Sequence, residues 1–523
     1  MKLAIVHYHL NRGGVTRVIE NQLLALDRVL DDGEPHQALV FFGGRSEGWP
    51  SQLADRLQRI RLRLVPLSEL DYDSERTGSA DNLELRLLEA LQEAGFAPDE
   101  TVVHVHNHSV GKNAELPRAV WNLAARGYGL LLQIHDFAED QRPGNFRLLM
   151  ETAHGLPDWH GRLYPQAANV HFAVLNGRDR CVLQAAGAAA ERLHFLPNPV
   201  LPVEGLPDRP SVRAKLHDLF SVPADARFVV YPVRGIRRKN VGEAVLHSLL
   251  APEGTFVGLT LPPLNPAEQT RFEQWKESAR RWQPPFRFDV GAPGGLSFAE
   301  NLAASDAILT TSIAEGFGMV FLESWLADRM LMGRDLPEIT RDFVEAGLDL
   351  GGLSNRLEIP ADWVDLSRLR AAILDAYRTT LAAYGRPASS DLSEQADARL
   401  RSETIDFGDL DESFQAAVIE RVVCQPPTRG ELLAANPWIE GKARAKRLAR
   451  QSFTACSHTE ELVQSNAEIV RREFSLEPSG TRLIAVYDAI LNSPRSHEIL
   501  PLARPGAMLD RFLKFDRFRL LRN

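Results

Sequence analysis

A short apolar strand, a turn and an amphipathic helix recur in that order along this chain of 523 residues, and this pattern constrains its fold most strongly. In the first instance, an apolar run at 3–8 leads into the turn Asn11-Arg12-Gly13-Gly14 and then into apolar residues at helical spacing. Helical stretches alternate with further strand candidates, which lie at 38–42, 101–105, 130–134 and 170–175. Such alternation predicts an α/β domain with a doubly wound parallel sheet.

Prolines between about 197 and 210 interrupt this series and predict a domain boundary. A second α/β series follows, with strand candidates at 228–233, 256–261, 286–290 and 307–311. We therefore predict two Rossmann-like doubly wound domains joined by a hinge, with a cleft between the carboxyl ends of their sheets that holds the ligands. The predicted N-terminal domain spans 1–200. The predicted C-terminal domain spans 201–490 and contains an insertion at about 350–435, and a basic amphipathic tail follows at 491–523.

Composition and charge exclude several classes of protein. Hydrophobic residues make up 44% and charged residues 25%, as in a globular protein, and the net charge of -9 argues against a general nucleic-acid binder. The three cysteines lack CxxC spacing, and the chain shows neither a signal-peptide core nor an apolar run of about 18 residues. These features predict a cytoplasmic protein. The basic tail is suited to peripheral membrane contact; alternatively, its apolar residues pack on the protein itself.

The segment after the last strand candidate of the second series carries two glutamates, Glu315 and Glu323, around the sequence Gly316-Phe317-Gly318. We predict a helix from about Gly318, which places Glu315 at a helix entrance, where free N–H groups favour a carboxylate. The glycines would let backbone amides approach a ligand. Two carboxylates at this spacing suit sugar hydroxyls, although a capping Glu and a solvated surface Glu would explain them equally well on spacing alone.

A basic turn between a strand and a helix is the second motif, and its cations are Arg234, Arg237, Arg238 and Lys239. Arginine can bind two phosphate oxygens at once, lysine supplies a mobile point charge, and the following helix supplies N–H donors. These properties favour phosphate binding. A solvated basic loop is the alternative.

Taken together, these motifs resemble the GT-B glycosyltransferases of family 4. Glu315 and Glu323 match that family's Glu-x7-Glu element, and Arg234 and Lys239 match its Arg-x4-Lys element. The resemblance implies that the first Glu faces the hydroxyls of the donor sugar and the second the ribose, while the Arg and Lys hold the pyrophosphate. After Glu323 the chain departs from the family, because 331–340 stands where a Gly-x-Pro-Val segment is usual.

The same resemblance extends to the N-terminal half. Gly13-Gly14 is similar to the family's glycine loop, whose amides approach the donor phosphate or the acceptor, and it lacks the spacing of a dinucleotide fingerprint. His135, followed by Asp136, is similar to the family's His-Asp, whose imidazole points toward the reacting sugar and can donate a hydrogen bond at neutral pH.

A histidine row, His104, His106 and His108, alternates along one strand candidate and would place three imidazoles on one face. No carboxylate lies at ligand spacing, and the family segment often reads His-x-His without a metal, so we predict no metal site.

The resemblance implies a retaining hexosyltransferase that uses a nucleotide-diphosphate sugar, an unidentified hydroxyl acceptor, no metal and no other cofactor. An epimerase-like GT-B enzyme, which needs no acceptor, and a non-catalytic GT-B scaffold are the alternatives. The sequence indicates no oligomeric state.

Overall fold

The computed structural model describes residues 1–33, 35–76, 79, 81–153, 155–439 and 455–522. A helix that the apolar spacing predicts at 442–450 lies outside these residues. Contacts divide the chain into two units. The first consists of Met1–Val200, Thr380–Arg386 and Arg472–Arg517, and the second of Leu201–Thr379, Pro387–Arg471 and Phe518–Asn523.

The first unit contains a seven-stranded sheet in which all neighbouring strands are parallel. Its strands are β1 (Lys2–Val6), β2 (His36–Phe42), β3 (Ile60–Pro66), β4 (Thr101–His106), β5 (Gly129–Ile134), β6 (Val170–Val174) and β7 (Leu193–Phe195). Their order is β3-β2-β1-β4-β5-β6-β7, so the order reverses between β1 and β4, as in a doubly wound domain. The sequence did not predict β3, where arginines alternate with apolar residues and half the strand is exposed, or β7, which has three residues.

The second unit contains a five-stranded parallel sheet in the order β10-β9-β8-β11-β12. Its strands are β8 (Arg227–Arg234), β9 (Thr255–Leu261), β10 (Phe286–Arg287), β11 (Ala307–Thr310) and β12 (Met330–Gly333). Here the order reverses between β8 and β11. β10 is shorter than predicted, because the chain turns at Asp289, whose φ is +61°. Two parallel sheets of this order confirm the predicted class of two Rossmann-like domains.

Helices connect the strands in both units. In chain order they are α1 (Gly14–Val29), α2 (Leu53–Arg56), α3 (Leu83–Glu93), α4 (Leu116–Ala125), α5 (Pro143–Thr152), α6 (Trp159–Arg162), α7 (Gly177–Ala186), α8 (Arg209–Phe220), α9 (Val241–Leu250), α10 (Pro266–Trp282), α11 (Phe298–Ala304), α12 (Val320–Leu326), α13 (Pro337–Glu345), α14 (Leu366–Ala383), α15 (Leu392–Arg399), α16 (Glu412–Cys424), α17 (Pro427–Ala435), α18 (Ala455–Phe474), α19 (Leu476–Leu491) and α20 (Gly506–Phe512).

The predicted insertion at about 350–435 folds as an ordinary part of the second unit, apart from 380–386. It carries α14–α17 and a two-stranded antiparallel sheet of β13 (Glu358–Pro360) and β14 (Thr404–Asp406). Within it, α16 and α17 both pack against α9.

The end of the chain differs from the predicted ranges. Helix α19 falls within the range predicted for the C-terminal domain, but it packs on α1 in the first unit. The two helices approach so closely at Gly480 that a Cβ there would collide with the carbonyl of Ala25. In the tail, Phe512 packs against Phe137, and Phe518 and Leu520 are buried. These apolar residues are packed within the protein, so they are not presented to a membrane.

None of the helices in the described part of the chain combines the length and the apolar character that a bilayer span requires.

Candidate functional site

The predicted basic turn follows β8 and is held by hydrogen bonds to its own carbonyl groups. Arg237–Lys239 form one 3-10 turn, and Asn240, with a φ of +52°, connects it to α9. The Tyr231 hydroxyl donates to the carbonyl oxygen of Lys239 at 2.8 Å, and the Thr311 hydroxyl donates to the same oxygen at 2.9 Å. These bonds join the loop after β8 to the loop after β11, so both loops keep a fixed relative position.

Glu315 lies in the loop between β11 and α12, and its carboxylate contacts two cations of the basic turn. It accepts from Arg238 Nη1 at 2.9 Å and pairs with the Lys239 ammonium. Burial would raise the pKa of Glu315, but the charges of Lys239 and Arg238 outweigh burial and lower this pKa to about 2. The expected helix-entrance position is wrong, since α12 begins at Val320. Cationic side chains, rather than helical N–H groups, hold the carboxylate.

The other cations of the basic turn differ in what they contact. Arg237 donates from Nε and Nη2 to both oxygens of Glu412, at 2.6 and 2.8 Å, so its charge is already neutralised. Arg234 is half-buried at the end of β8, and its Nη1 donates to the carbonyl oxygen of Pro262 at 3.3 Å. A neutral carbonyl leaves the charge of Arg234 uncompensated by this contact. The sequence could not show that Arg237 is neutralised, because Glu412 is remote in the chain.

The residues between the two glutamates shape the loop. Gly318 adopts a φ of +82°, and a Cβ there would lie 2.7 Å from the ring of Phe321. Phe317 is buried and packs edge-on against Phe343, with ring centroids 5.4 Å apart. The Phe317 side chain therefore anchors the loop in the core. Glu323 lies in the first turn of α12 and is half-buried.

His135 follows β5 in the first unit, as predicted. Its backbone N–H donates to Asn107 Oδ1 at 2.7 Å, and its Nε2 lies 2.9 Å from His106 Nδ1. Burial lowers the pKa of His135 to about 4, so the imidazole is neutral at pH 7. The neighbouring Asp136 pairs with Arg142 at 2.6 Å.

The predicted histidine row is correct for His104 and His106 on β4 and wrong for His108. His104 and His106 stack with centroids 4.3 Å apart, so these two do share a face. β4 ends at His106, and the left-handed Asn107 turns the chain, so His108 Nε2 instead bonds the carbonyl oxygen of Leu163 at 2.8 Å. In the described residues, no group of three or more His, Cys, Asp or Glu side chains is arranged to hold a metal ion.

Gly13 and Gly14 lie at the start of α1, directly after the loop that follows β1. Gly13 is extended, with a φ of -176°, and a Cβ added at Gly14 would meet no atom within 4 Å. Both residues are exposed. Neither backbone conformation nor internal packing therefore requires glycine at these two positions. Close approach of a ligand to the backbone is a physical reason for glycine there.

The chain is similar to known proteins both in sequence and in fold. No protein-family model matches the chain. Over 349 residues it is 27% identical to a mannosylglucosyl-3-phosphoglycerate synthase of Petrotoga mobilis. The aligned region covers 65% of this chain and 66% of the relative. The chain thus spans slightly less than two thirds of the length of this curated relative.

Solved structures show the fold. A glycosyltransferase from Rickettsia africae superposes with a TM-score of 0.55 at 11% identity, covering 94% of this chain and 99% of the other. HepE of Anabaena, crystallised with UDP and glucose, superposes with a TM-score of 0.51 at 13% identity, covering 94% and 100%. The chain has the GT-B fold. The predicted GT-B fold is thereby confirmed.

In this GT-B fold, the loop after β8 and the loop after β11 adjoin where the strand order of the second sheet reverses. Open α/β sheets bind ligands at the carboxyl ends of the strands beside such a reversal. Lys239 and Glu315 pair at this point, and Arg234 lies at the end of β8, on the side of β9. Gly13, Gly14 and His135 lie in the first unit, in loops at the carboxyl end of its own sheet.

A buried ion network that the sequence did not predict supports the basic turn of this GT-B domain. Arg334 donates from Nε to Glu243 Oε1 at 3.0 Å and from Nη1 to Asp406 Oδ2 at 2.9 Å. Glu243 in turn accepts from Asn240 Nδ2 at 2.6 Å, and Asn240 ends the basic turn. The departure of 331–340 from the family pattern was the one sequence signal here. It did not reveal a charge buried between two carboxylates.

Proposed function

We propose that the chain transfers a hexosyl unit from a nucleotide-diphosphate sugar to a hydroxyl acceptor, with retention of anomeric configuration and without a metal ion. The observation that carries the proposal is the contact of Glu315 with Lys239 and Arg238 at the strand-order reversal of the second sheet. An anionic carboxylate beside fixed cations suits a ligand that joins a sugar to a diphosphate. The names of the sequence relative and of the R. africae neighbour support the same class of activity.

In this proposal the cations of the basic turn stabilise the leaving diphosphate. Arg234 and Lys239 would neutralise the charge that develops as the bond between the anomeric carbon and the phosphate oxygen breaks. Lys239 can bridge the Glu315 carboxylate and a phosphate oxygen, since an ammonium group has three donors. Arg237 has no part in this step, because Glu412 occupies its guanidinium group.

The carboxylates and the first unit would position the sugars. With a pKa near 2, Glu315 is ionised at neutral pH, so it acts as a hydrogen-bond acceptor for donor-sugar hydroxyls rather than as a general acid. Glu323 would bind the ribose hydroxyls. Neutral His135 would donate to a hydroxyl of the reacting sugar, and Gly13 and Gly14 would let the backbone approach the donor or the acceptor.

The reaction would need no nucleophile from the protein. The acceptor oxygen forms the new bond to the anomeric carbon on the face that the diphosphate leaves. The acceptor proton passes to an oxygen of the departing phosphate, so charge and atoms balance.

The first test is thermal unfolding against UDP, GDP and ADP, with and without EDTA. A nucleotide at 100 times its dissociation constant adds about 2.7 kcal/mol to the free energy of unfolding, and a melting curve detects a change of this size. We expect one nucleotide to raise the melting temperature equally with and without EDTA, and we expect Lys239→Met to abolish this effect. Lys276→Met is the matched control, since Lys276 is also half-buried but pairs with Asp289 at 2.8 Å, outside the site.

Each contrary outcome has a distinct meaning. No response to any nucleotide contradicts the proposal and favours a scaffold, whereas a response that EDTA abolishes contradicts metal independence. Consumption of a nucleotide sugar without any acceptor, yielding an isomeric nucleotide sugar, favours an epimerase.

A further inference from the structure

Loops from four strands of the first sheet meet at Tyr72, at the carboxyl end of that sheet. Tyr72 itself lies in the loop after β3. In the same loop, the backbone N–H of Asp73 donates to the carbonyl oxygen of Lys112 at 2.8 Å, and Lys112 lies in the loop after β4. The Tyr72 hydroxyl bonds His9 Nε2 in the loop after β1 at 3.1 Å. Arg45, in the loop after β2, lies with its guanidinium carbon 5.4 Å from the Tyr72 ring centroid. The carboxyl end of a parallel sheet is where such folds bind their ligands.

Lys112 is the unusual member of this cluster. Its ammonium nitrogen lies 5.3 Å from the Tyr72 ring centroid, within the range of a cation–π contact. The residue is half-buried, and its side chain makes no hydrogen bond or ion pair with any residue of the described part of the chain. Burial lowers the pKa of Lys112, and the positive charge of nearby Arg142 lowers it further.

The carboxylates around Lys112 are paired with other cations. Asp71 is bound through both oxygens by Arg45, with Nε donating to Oδ2 at 2.6 Å. Asp73 pairs with Arg76 at 2.7 Å. Asp136 pairs with Arg142 at 2.6 Å. Glu75 is exposed and lies 3.9 Å from Arg45. Asn145, in the helix that begins directly after Arg142, donates from Nδ2 to the carbonyl oxygen of Val110 at 2.8 Å, so Arg142 and Lys112 share one neighbourhood. In this neighbourhood Asp136 pairs with Arg142, and the exposed Glu75 is the carboxylate whose charge acts on Lys112.

An anion that binds between these cations would relieve the cost of holding the Lys112 charge away from water without a partner. A phosphate or carboxylate has enough acceptor oxygens to take hydrogen bonds from the ammonium group and from a free N–H of the Arg142 guanidinium. Arg142 pairs with Asp136, the residue after His135, so this neighbourhood adjoins the histidine that the proposed function places beside the reacting sugar.

We propose that Lys112, Arg142 and Tyr72 form a subsite for an anionic group, a phosphate or a carboxylate, carried by the acceptor. That the ligand is the acceptor rests on the proposed function; binding of an anion at this subsite does not. The substrate class is therefore a phosphorylated or carboxylated hydroxyl compound rather than a neutral sugar.

The test is isothermal titration calorimetry with inorganic phosphate and with matched pairs of compounds. The difference in affinity between glucose 6-phosphate and glucose measures the contribution of a phosphate. The difference between glucuronate and glucose measures the contribution of a carboxylate. We expect the preferred anionic compound to bind the wild type at least about tenfold more tightly than glucose, since a hydrogen bond to a charged group has about this effect. We expect Lys112→Met, which keeps an unbranched side chain over Tyr72, to lose at least about tenfold of that affinity.

Two further variants keep the experiment interpretable. Lys112→Arg retains the charge and should recover most of the affinity for the anion. Lys276→Met removes a lysine that also lies beside an aromatic ring, 5.8 Å from the centroid of Phe272, but that pairs with carboxylates; its anion affinity should equal that of the wild type. Melting curves of all variants show whether each one folds.

Three results would overturn the subsite: equal binding of anionic and neutral compounds, unchanged anion affinity in Lys112→Met, or no binding of any of these anions to the wild type. Nucleotide binding is measured on the same samples and should be unchanged in Lys112→Met. A wild type that binds the anions but no nucleotide contradicts the proposed function and leaves the anion subsite standing.

Discussion

Removing Arg334 should destabilise the second unit strongly, because the change leaves two buried carboxylates without their shared cation. The side chains of Arg334, Glu243 and Asp406 are at most 3% exposed, and Arg334 also donates to the carbonyl oxygen of Asn355 at 2.7 Å. Breaking a buried ion pair by removing one partner costs about 3–5 kcal/mol. The second unit has about 270 residues, a size at which 1 kcal/mol corresponds to about 2 °C, so Arg334→Met should lower the melting temperature by about 6–10 °C.

The loss should depend on pH in a direction that the network fixes. Burial raises the pKa of Glu243 to about 7 even though the charge of Arg334 opposes the shift, and without Arg334 this pKa should rise further. A carboxyl group whose folded-state pKa is raised stabilises the fold at low pH and loses this contribution as pH rises toward the folded-state value. Ionisation of Glu243 therefore lowers the free energy of unfolding of the wild type only up to about pH 7. In the variant, the same ionisation continues to lower the free energy of unfolding above about pH 7. The difference between their melting temperatures should be larger at pH 8 than at pH 6.

The assay is differential scanning calorimetry of both proteins at pH 6, 7 and 8. Arg356→Met is the control, because Arg356 is 44% exposed and pairs with Glu358; an exposed pair contributes at most about 1 kcal/mol. Adding Glu243→Gln to Arg334→Met should recover part of the loss at pH 8, where ionisation of the buried Glu243 carboxyl group destabilises the single variant. If Arg334→Met melts within the range of the Arg356 control, or if its loss is the same at every pH, the buried-charge reasoning is refuted.

Three further predictions concern the site and the histidines. Glu315→Ala should reduce turnover at least about tenfold, equivalent to about 1.4 kcal/mol of transition-state binding, and turnover at the wild-type rate would remove Glu315 from the site. Gly14→Ala should leave the melting temperature unchanged or raise it, because a Cβ there meets no atom, while donor turnover falls; unchanged turnover would show that no ligand approaches this glycine. Burial lowers the pKa of His104 to about 3 and that of His135 to about 4, so the free energy of unfolding should fall by about 1.4 kcal/mol per pH unit for each of them as pH drops from about 6.5 toward 4. Calorimetry over this range checks the last prediction, and a first unit whose stability is constant from pH 6.5 to 5 would contradict it.

The pattern of the sequence was sufficient for the class of fold, because alternating strands and helices leave little choice of topology. Parallel strands need crossover connections, and helices that bury one face must cover the sheet, so two such series predict two doubly wound sheets. The family resemblance of the motifs assigned Lys239 and Glu315 to one ligand, and the structure pairs these two side chains because both follow strands that are neighbours in the sheet. The order of a few residues around each turn determines these features.

Partners that are far apart in sequence were decided only by the tertiary structure. The basic turn carries four cations in sequence, and only the folded chain shows that Glu412 pairs with Arg237, whereas Glu315 pairs with Arg238 and Lys239. The continuation of the histidine row to His108 was wrong because β4 ends at His106.

The sequence by itself therefore determined the two α/β sheets and the turns that carry charged residues at their carboxyl ends. Only the tertiary structure decided which of those charges are free to meet a ligand, because desolvation and ion pairing depend on what the folded chain brings within a few ångströms. Arg334 is buried and fully paired, whereas Lys112 is half-buried over Tyr72 without a carboxylate partner among the described residues. No local pattern in the sequence distinguishes these two cations.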